Sequence, residues 1–270
     1  MSSSFGAERW DPNGAELLLK PSRGAAADPR SLKGKRVLVI GGSGIVGSHQ
    51  VDGFARAGAE VLLASRKQAN AESAARDAAK RVPGATITPV SGELGTFSGA
   101  AAFADKIEQD HGRVDHVVVA IGSWWSGRGL WDVPEDVWQR FFVDVTTGYV
   151  ASLRAWLPRL PETGSMVWIL GASGVVPVPG AGPLSMAQAS LVMAQRVVEA
   201  ETGDSRRLFS IVLGNLATRE RPGAPGSWIT ADEAAEVAVA LAARPDAPSQ
   251  GVVIRHRAAL DSVQKRLGLK

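Results

Sequence analysis

The stretch Val37-Leu38-Val39-Ile40-Gly41-Gly42-Ser43-Gly44-Ile45-Val46-Gly47 decides the fold. A short β-branched run ends in glycines and passes straight into a helical stretch, roughly 46–57. Glycines at such a turn let backbone N–H groups approach a pyrophosphate, and the helix N-terminus adds partial positive charge. Gly42-x-Gly44-x-x-Gly47 fits the G-x-G-x-x-G pattern, and Gly41-x-x-Gly44-x-x-Gly47 fits it equally well. The reading is dinucleotide binding through Gly41, Gly42, Ser43, Gly44, Ile45, Val46 and Gly47. A glycine-rich turn used only for packing is the bland alternative.

Outward from this turn, strands alternate with helices. Glu60–Ala64 reads as a second strand and is followed by a helix over 69–81. Further strands are expected at 86–90, 116–121, 165–170, 210–213 and 252–254, with helices at 98–110, 135–157, 184–202 and 231–243. This order implies βαβ units: an α/β fold, a Rossmann-type doubly wound parallel sheet forming a single domain over 35–270. Residues 1–34 read as an irregular N-terminal arm, rich in Pro12, Pro21, Pro29, Gly14 and Gly24. Its run Leu17-Leu18-Leu19 either packs on the domain or a partner, or belongs to a partly ordered terminus.

The second strand ends in Ser65-Arg66-Lys67, with no acid before Glu72. An acid there would bind a ribose 2′-hydroxyl and repel a 2′-phosphate, whereas an arginine pairs with the phosphate through its fork. Ser65 and Arg66 therefore point to NADP(H).

Composition excludes other classes. The chain has 270 residues, 45% hydrophobic and 21% charged, with a formal net charge of +3. No basic patch is interleaved with aromatics, so no nucleic acid is expected. The final Lys265-Arg266-Leu267-Gly268-Leu269-Lys270 reads as a solvated tail. No apolar run reaches the roughly 18 to 20 residues of a membrane span, and no secretory signal is visible, so a cytoplasmic, membrane-free protein is expected. There is no cysteine, and His49, His111, His116 and His256 lack ligand spacing, so no metal site is expected.

From Leu32 to about residue 256 the chain resembles the short-chain dehydrogenase/reductase family. Leu32-Lys33-Gly34-Lys35-Arg36 through Ser43 resembles its opening, and Gly58 through Arg66 its second strand. Trp138 to Gly148 tracks its central helix without a gap, and Gln250 to Ile254 its last strand. The resemblance implies that Glu93 and Leu94 lie near the adenine and that Ala120, Gly122 and Gly214 line the cofactor. It also implies a homodimer or homotetramer built on the helices at 135–157 and 184–202, with Leu153, Trp156, Leu191 and Val198 as interface candidates.

The family's catalytic set is not matched. Leu184-Ser185-Met186-Ala187-Gln188 stands where the family has Tyr-x-x-x-Lys. Gly171 occupies the serine position, with Ser173 nearby, and Val145 that of the asparagine, between Asp144 and Thr146. The only tyrosine, Tyr149, lies inside the central helix. Leu184 has no proton to give, and Gln188 carries no charge to tune one, although it can still bond the nicotinamide ribose. The remaining polar candidates for catalysis are Ser173, Ser185, Gln188 and Asp144. Trp124 and Trp125, after the fourth strand, are placed with Leu184 at the mouth for a small-molecule substrate, or else pack the loop or an oligomer contact. Three functions stay open: hydride transfer to an activated imine or conjugated substrate, a non-redox cyclase or lyase reaction, and an inactive cofactor-binding or scaffold protein.

Overall fold

The computed structural model describes residues 28 and 30–270. The run Leu17-Leu18-Leu19 and most of the expected arm lie outside the described residues. Leu32 is already part of the core, and its N–H donates to Ala57 O at 2.8 Å, ahead of the expected boundary at Lys35.

Seven parallel strands form one sheet: β1 (Arg36–Ile40), β2 (Glu60–Ser65), β3 (Ile87–Ser91), β4 (His116–Val119), β5 (Ser165–Gly171), β6 (Leu208–Leu213) and β9 (Gln250–Ile254). Their order is β3-β2-β1-β4-β5-β6-β9. The connection reverses direction between β1 and β4, which makes the crevice beyond their carboxyl ends the place for a ligand. Pro89 is tolerated because β3 is an edge strand, where one missing N–H costs no ladder bond. A separate short pair, β7 (Leu216–Ala217) and β8 (Ile229–Thr230), brackets the segment after β6.

Strand alternation splits the core between the two faces. Val37 and Val39 join α1 (Ile45–Arg56), α2 (Gln68–Arg81), α7 (Ala231–Ala243) and α8 (Arg257–Leu267) on one side. Leu38 and Ile40 join α3 (Phe97–His111), α5 (Asp144–Trp156) and α6 (Gly182–Thr202) on the other.

Three expectations are corrected. The single helix over 135–157 is interrupted: α4 (Glu135–Trp138) runs into one π turn, Gln139–Val143, before α5. The Thr146 hydroxyl donates to Phe142 O at 2.7 Å and Val143 O at 3.1 Å, occupying carbonyls of the widened turn. The final basic stretch is not a solvated tail. Leu260, Val263 and Leu267 share one buried face of α8, and Gly268 ends the helix at φ +73°. Trp156, Leu191 and Val198 are core residues of the subunit, leaving Met186, Met193 and Val197 as the exposed apolar side chains of α6.

Candidate functional site

Glycines build the turn between β1 and α1 because nothing larger fits. Gly41 has φ +82°, and a Cβ there would lie 2.4 Å from Ala120 O. At Gly47 a Cβ would lie 2.0 Å from Gly41 O. The N-cap of α1, Gly44, offers no side-chain cap, and the first turn carries no acid. Its leading N–H groups and the positive end of its dipole are thus left for an external anion. Ser43 Oγ and Ser65 Oγ are 2.9 Å apart, joining the turn to the end of β2. Arg66 and Lys67 follow, exposed and with no side-chain partner among the described residues. This edge fits a dinucleotide with an extra phosphate: a pyrophosphate over Gly41–Gly47 and a 2′-phosphate beside Arg66. Ile45 is exposed and Val46 half-buried at the same helix start.

The other expected cofactor residues differ among themselves. Ala120 donates its N–H to Ile40 O at 2.9 Å, and its carbonyl abuts the glycine turn. Gly122 follows at φ +125°, exposed, with only Val145 near the position of a Cβ. Glu93 is turned onto its own loop, accepting Gly95 N–H at 2.6 Å. Leu94 is 5% exposed and packs in the core, where an apolar group gains most. Gly214 is a packing glycine, since a Cβ would stand 2.3 Å from Arg255 O.

Among the catalytic candidates, Gln188 is buried and its Oε1 accepts Gly171 N–H at 2.8 Å, fastening α6 to the carboxyl end of β5. Ser173 sits in the following turn, Ala172–Gly174, half-buried. Ser185 Oγ is buried without a hydrogen-bond partner. Asp144 is exposed and accepts Gln139 Nε2 at 2.8 Å, so it is a helix-surface carboxylate. Leu184 is buried. Tyr149 is fully buried; its hydroxyl donates to Ile169 O at 2.6 Å, and burial pushes its pKa above the usual phenol range.

The loop leaving β4 folds over the start of α6. Gly127 N–H donates to Gly180 O at 2.9 Å, and Leu130 packs so tightly on Gly182 that a Cβ there would lie 2.7 Å from it. Between them is an open cavity of about 430 Å³, lined by Leu130, Val133, Glu135, Trp138 and Met186. Trp138 is backed by Phe142, with ring centroids 4.4 Å apart. Trp124 and Trp125 do not line this cavity: Trp124 is 60% exposed, and Trp125 leans on Phe141 at 6.0 Å. Glu135 was not legible as a site residue, because the cavity arises only when the β4 loop docks on α6.

A second feature hidden in the sequence is a charged hub behind the glycine turn. Asp52, fully buried in α1, accepts Arg81 Nε at 2.6 Å, Arg81 Nη2 at 3.0 Å and Arg219 Nη1 at 3.0 Å. Arg219 also donates to Ser48 Oγ at 2.6 Å, tying the segment between β7 and β8 to α1. Among the described residues, no cluster of His, Asp and Glu could hold a metal ion, and no helix is long and apolar enough to cross a membrane.

A family model described as enoyl-(acyl carrier protein) reductase matches residues 42–247. An uncharacterized oxidoreductase of Bacillus subtilis, YvrD, is 27% identical over 186 residues, covering 68% of this chain and 69% of that protein. A probable oxidoreductase of Mycobacterium tuberculosis, EphD, is 29% identical over 154 residues, 57% of this chain but only 26% of the relative. A short-chain type dehydrogenase/reductase from Mycobacterium marinum superposes with a TM-score of 0.74 at 20% identity, covering 84% of this chain and 96% of that one. An NADPH-bound short-chain oxidoreductase from Pseudomonas aeruginosa, containing an atypical catalytic center, also gives 0.74 at 20% identity, over 84% and 97% of the two chains. At such identities the structural likeness speaks to the fold.

Proposed function

From the premise that the chain belongs to the short-chain dehydrogenase/reductase family, we propose that it is an NADP(H)-dependent oxidoreductase acting on an activated bond, an imine or a conjugated system. What supports this reading is that the resemblance sets Leu184 and Gln188 at the family's tyrosine and lysine positions, and that Gln188 Oε1 accepts Gly171 N–H. Reduction of a simple carbonyl needs a proton at the developing alkoxide, and a positioned acid contributes typically about 10²–10⁴-fold. An already activated bond demands less of that acid.

The bound cofactor supplies hydride; the chain supplies position. Gly41, Gly42 and Gly47 allow backbone N–H groups to hold the pyrophosphate, and the uncapped start of α1 adds favourable potential. Ser43, Ser65 and Arg66 would hold the adenosine phosphate. Gln188 keeps the end of β5 in register with α6, and Gly122 leaves room beside the ring. NADP- and NADPH-bound structures among the neighbours support this assignment. The exposed Met186, Met193 and Val197 support a homo-oligomer formed through α6. We also propose a cytoplasmic location; among the described residues no helix is long and apolar enough to cross a membrane.

The test is NADPH oxidation followed at the nicotinamide absorbance band, with ketones, conjugated enones and imines as acceptors. Turnover of imines or enones with Ser173→Ala and Ser185→Ala nearly silent is the expected result. Rapid ketone reduction by the unmutated protein refutes the assignment of Leu184 and Gln188. NADPH binding with no oxidation by any acceptor favours a non-redox or scaffold role.

A further inference from the structure

Resting on the hydride-transfer reading above, we infer that the cavity between the β4 loop and α6 recognises a cationic, largely apolar substrate, an iminium ion rather than a neutral enone or an acid. The cavity walls are Leu130, Val133, Met186 and the indole of Trp138, and Glu135 is the one charged residue lining it. The Glu135 carboxylate has no hydrogen bond or ion pair among the described residues. The nearby cations are occupied. Arg128 Nη1 is 3.0 Å from Asp132, and the Arg140 guanidinium lies over the Phe141 ring at 5.1 Å. Glu135 is exposed at the cavity's edge, and an unpaired carboxylate lining the same cavity as an indole and three apolar side chains favours a cation over a neutral or negative guest.

The location suits a substrate. Both walls follow the carboxyl ends of strands: the loop leaves β4, beside the reversal of strand order, and α6 follows β5. Met186 lies two residues before Gln188, the glutamine that fastens α6 to β5.

The chemistry converges on the same class from an independent direction. When an iminium carbon receives hydride, the new C–H bond forms and the C=N π pair becomes the nitrogen lone pair. The positive charge passes to the oxidised nicotinamide, so the step balances with no proton taken from the protein. A site without a tuned acid at position 184 loses nothing with such a substrate. A neutral ketone would instead leave an alkoxide unprotonated.

The test separates binding from turnover. Benzyltrimethylammonium, which cannot accept hydride, is compared with its uncharged carbon isostere neopentylbenzene and with phenylacetate, by saturation-transfer NMR and tryptophan fluorescence on the full-length protein. The cation should bind best. Glu135→Gln should weaken it about fivefold, the scale of a partly exposed ion pair, while leaving the neutral isostere unchanged, and Glu135→Asp should recover part of the loss. Equal binding of cation and isostere, or a cation affinity indifferent to Glu135→Gln, overturns the inference. NADPH oxidation by N-methyl dihydroisoquinolinium then tests the underlying reading. Glu135-dependent binding of the cation without that oxidation upholds the cavity assignment and removes hydride transfer. Oxidation with a KM untouched by Glu135→Gln does the reverse.

Discussion

Replacing Arg66 by alanine should convert a cofactor preference into near indifference. Arg66 stands just past β2, exposed and with no competing side-chain partner among the described residues, so its guanidinium is free to fork onto a 2′-phosphate. A charge-assisted pair is worth about 1.5–3 kcal/mol when sheltered, and exposed pairs about 0.2–1 kcal/mol. The position lies between these limits, so about 1.4 kcal/mol, or tenfold in Kd, is the expected loss for NADPH. NADH lacks the phosphate and should bind as before. Gly47→Ala is the contrasting change, because its Cβ would sit 2.0 Å from Gly41 O and displace the turn itself, weakening both cofactors together. Titration of cofactor fluorescence at low and high salt gives both readouts, and the NADPH advantage should shrink with salt as the phosphate contact is screened. Equal affinity of the unmutated protein for NADPH and NADH, or an equal loss of both in Arg66→Ala, would refute the assignment of the phosphate to this arginine.

Arg207 is buried and donates to Thr163 O at 2.7 Å, Arg244 O at 2.6 Å and Leu241 O at 2.9 Å, clasping the start of β6 to the end of α7. Arg207→Met should cost about 3 kcal/mol, roughly 10 °C in Tm by calorimetry, and a shift under a few degrees would count against the clasp. His116 is buried beside Ser165 Oγ at 2.9 Å, and burial lowers its pKa to about 4. The neutral form is the one the fold accommodates, so its contribution is full above about pH 6.5 and is lost as pH falls from there through about 4. It amounts to roughly 3 kcal/mol at most, and denaturant melts of His116→Gln should show a flatter acid limb than the parent. Met193→Glu with Val197→Glu should shift light scattering from oligomer to monomer; a parent that is monomeric at micromolar concentration removes the α6 interface.

The sheet was legible because each strand is a short apolar run punctuated by Gly or a charged turn, and the glycine turn because its spacing is itself the mechanism. The helix over 231–243 was readable to the residue. Thr230 and Glu233 form a capping box at its start. What escaped were features made by tertiary contact. Asp52 and Arg219 are separated by 167 positions, so neither announces the other. Glu135 reads as an ordinary helix-start acid until Leu130 docks on Gly182. In α8 the basic Lys265 and Arg266 masked the spacing of Leu260, Val263 and Leu267, which the core then claims. Trp156, Leu191 and Val198 went into the subunit core for a related reason: apolar periodicity marks the buried stripe of a helix without saying which neighbour buries it.

The π turn at Gln139–Val143 bears on how this chain tolerates gain and loss of residues. One π turn is an α-helix that has absorbed a single extra residue without unwinding. The residues on either side keep their phase. Phe141 is buried in the turn, and beyond it Val145 faces inward toward Gly122 while Asp144 faces out. A one-residue deletion within 139–143 can therefore be repaired by closing the wide turn to an ordinary α turn. The same deletion one turn later would rotate Tyr149 off its carbonyl at Ile169 by about 100°, the angle subtended by one residue of a 3.6-residue turn. The π turn thus marks the one place described in the central helix where chain length can change while the wall of the site behind it stays in phase.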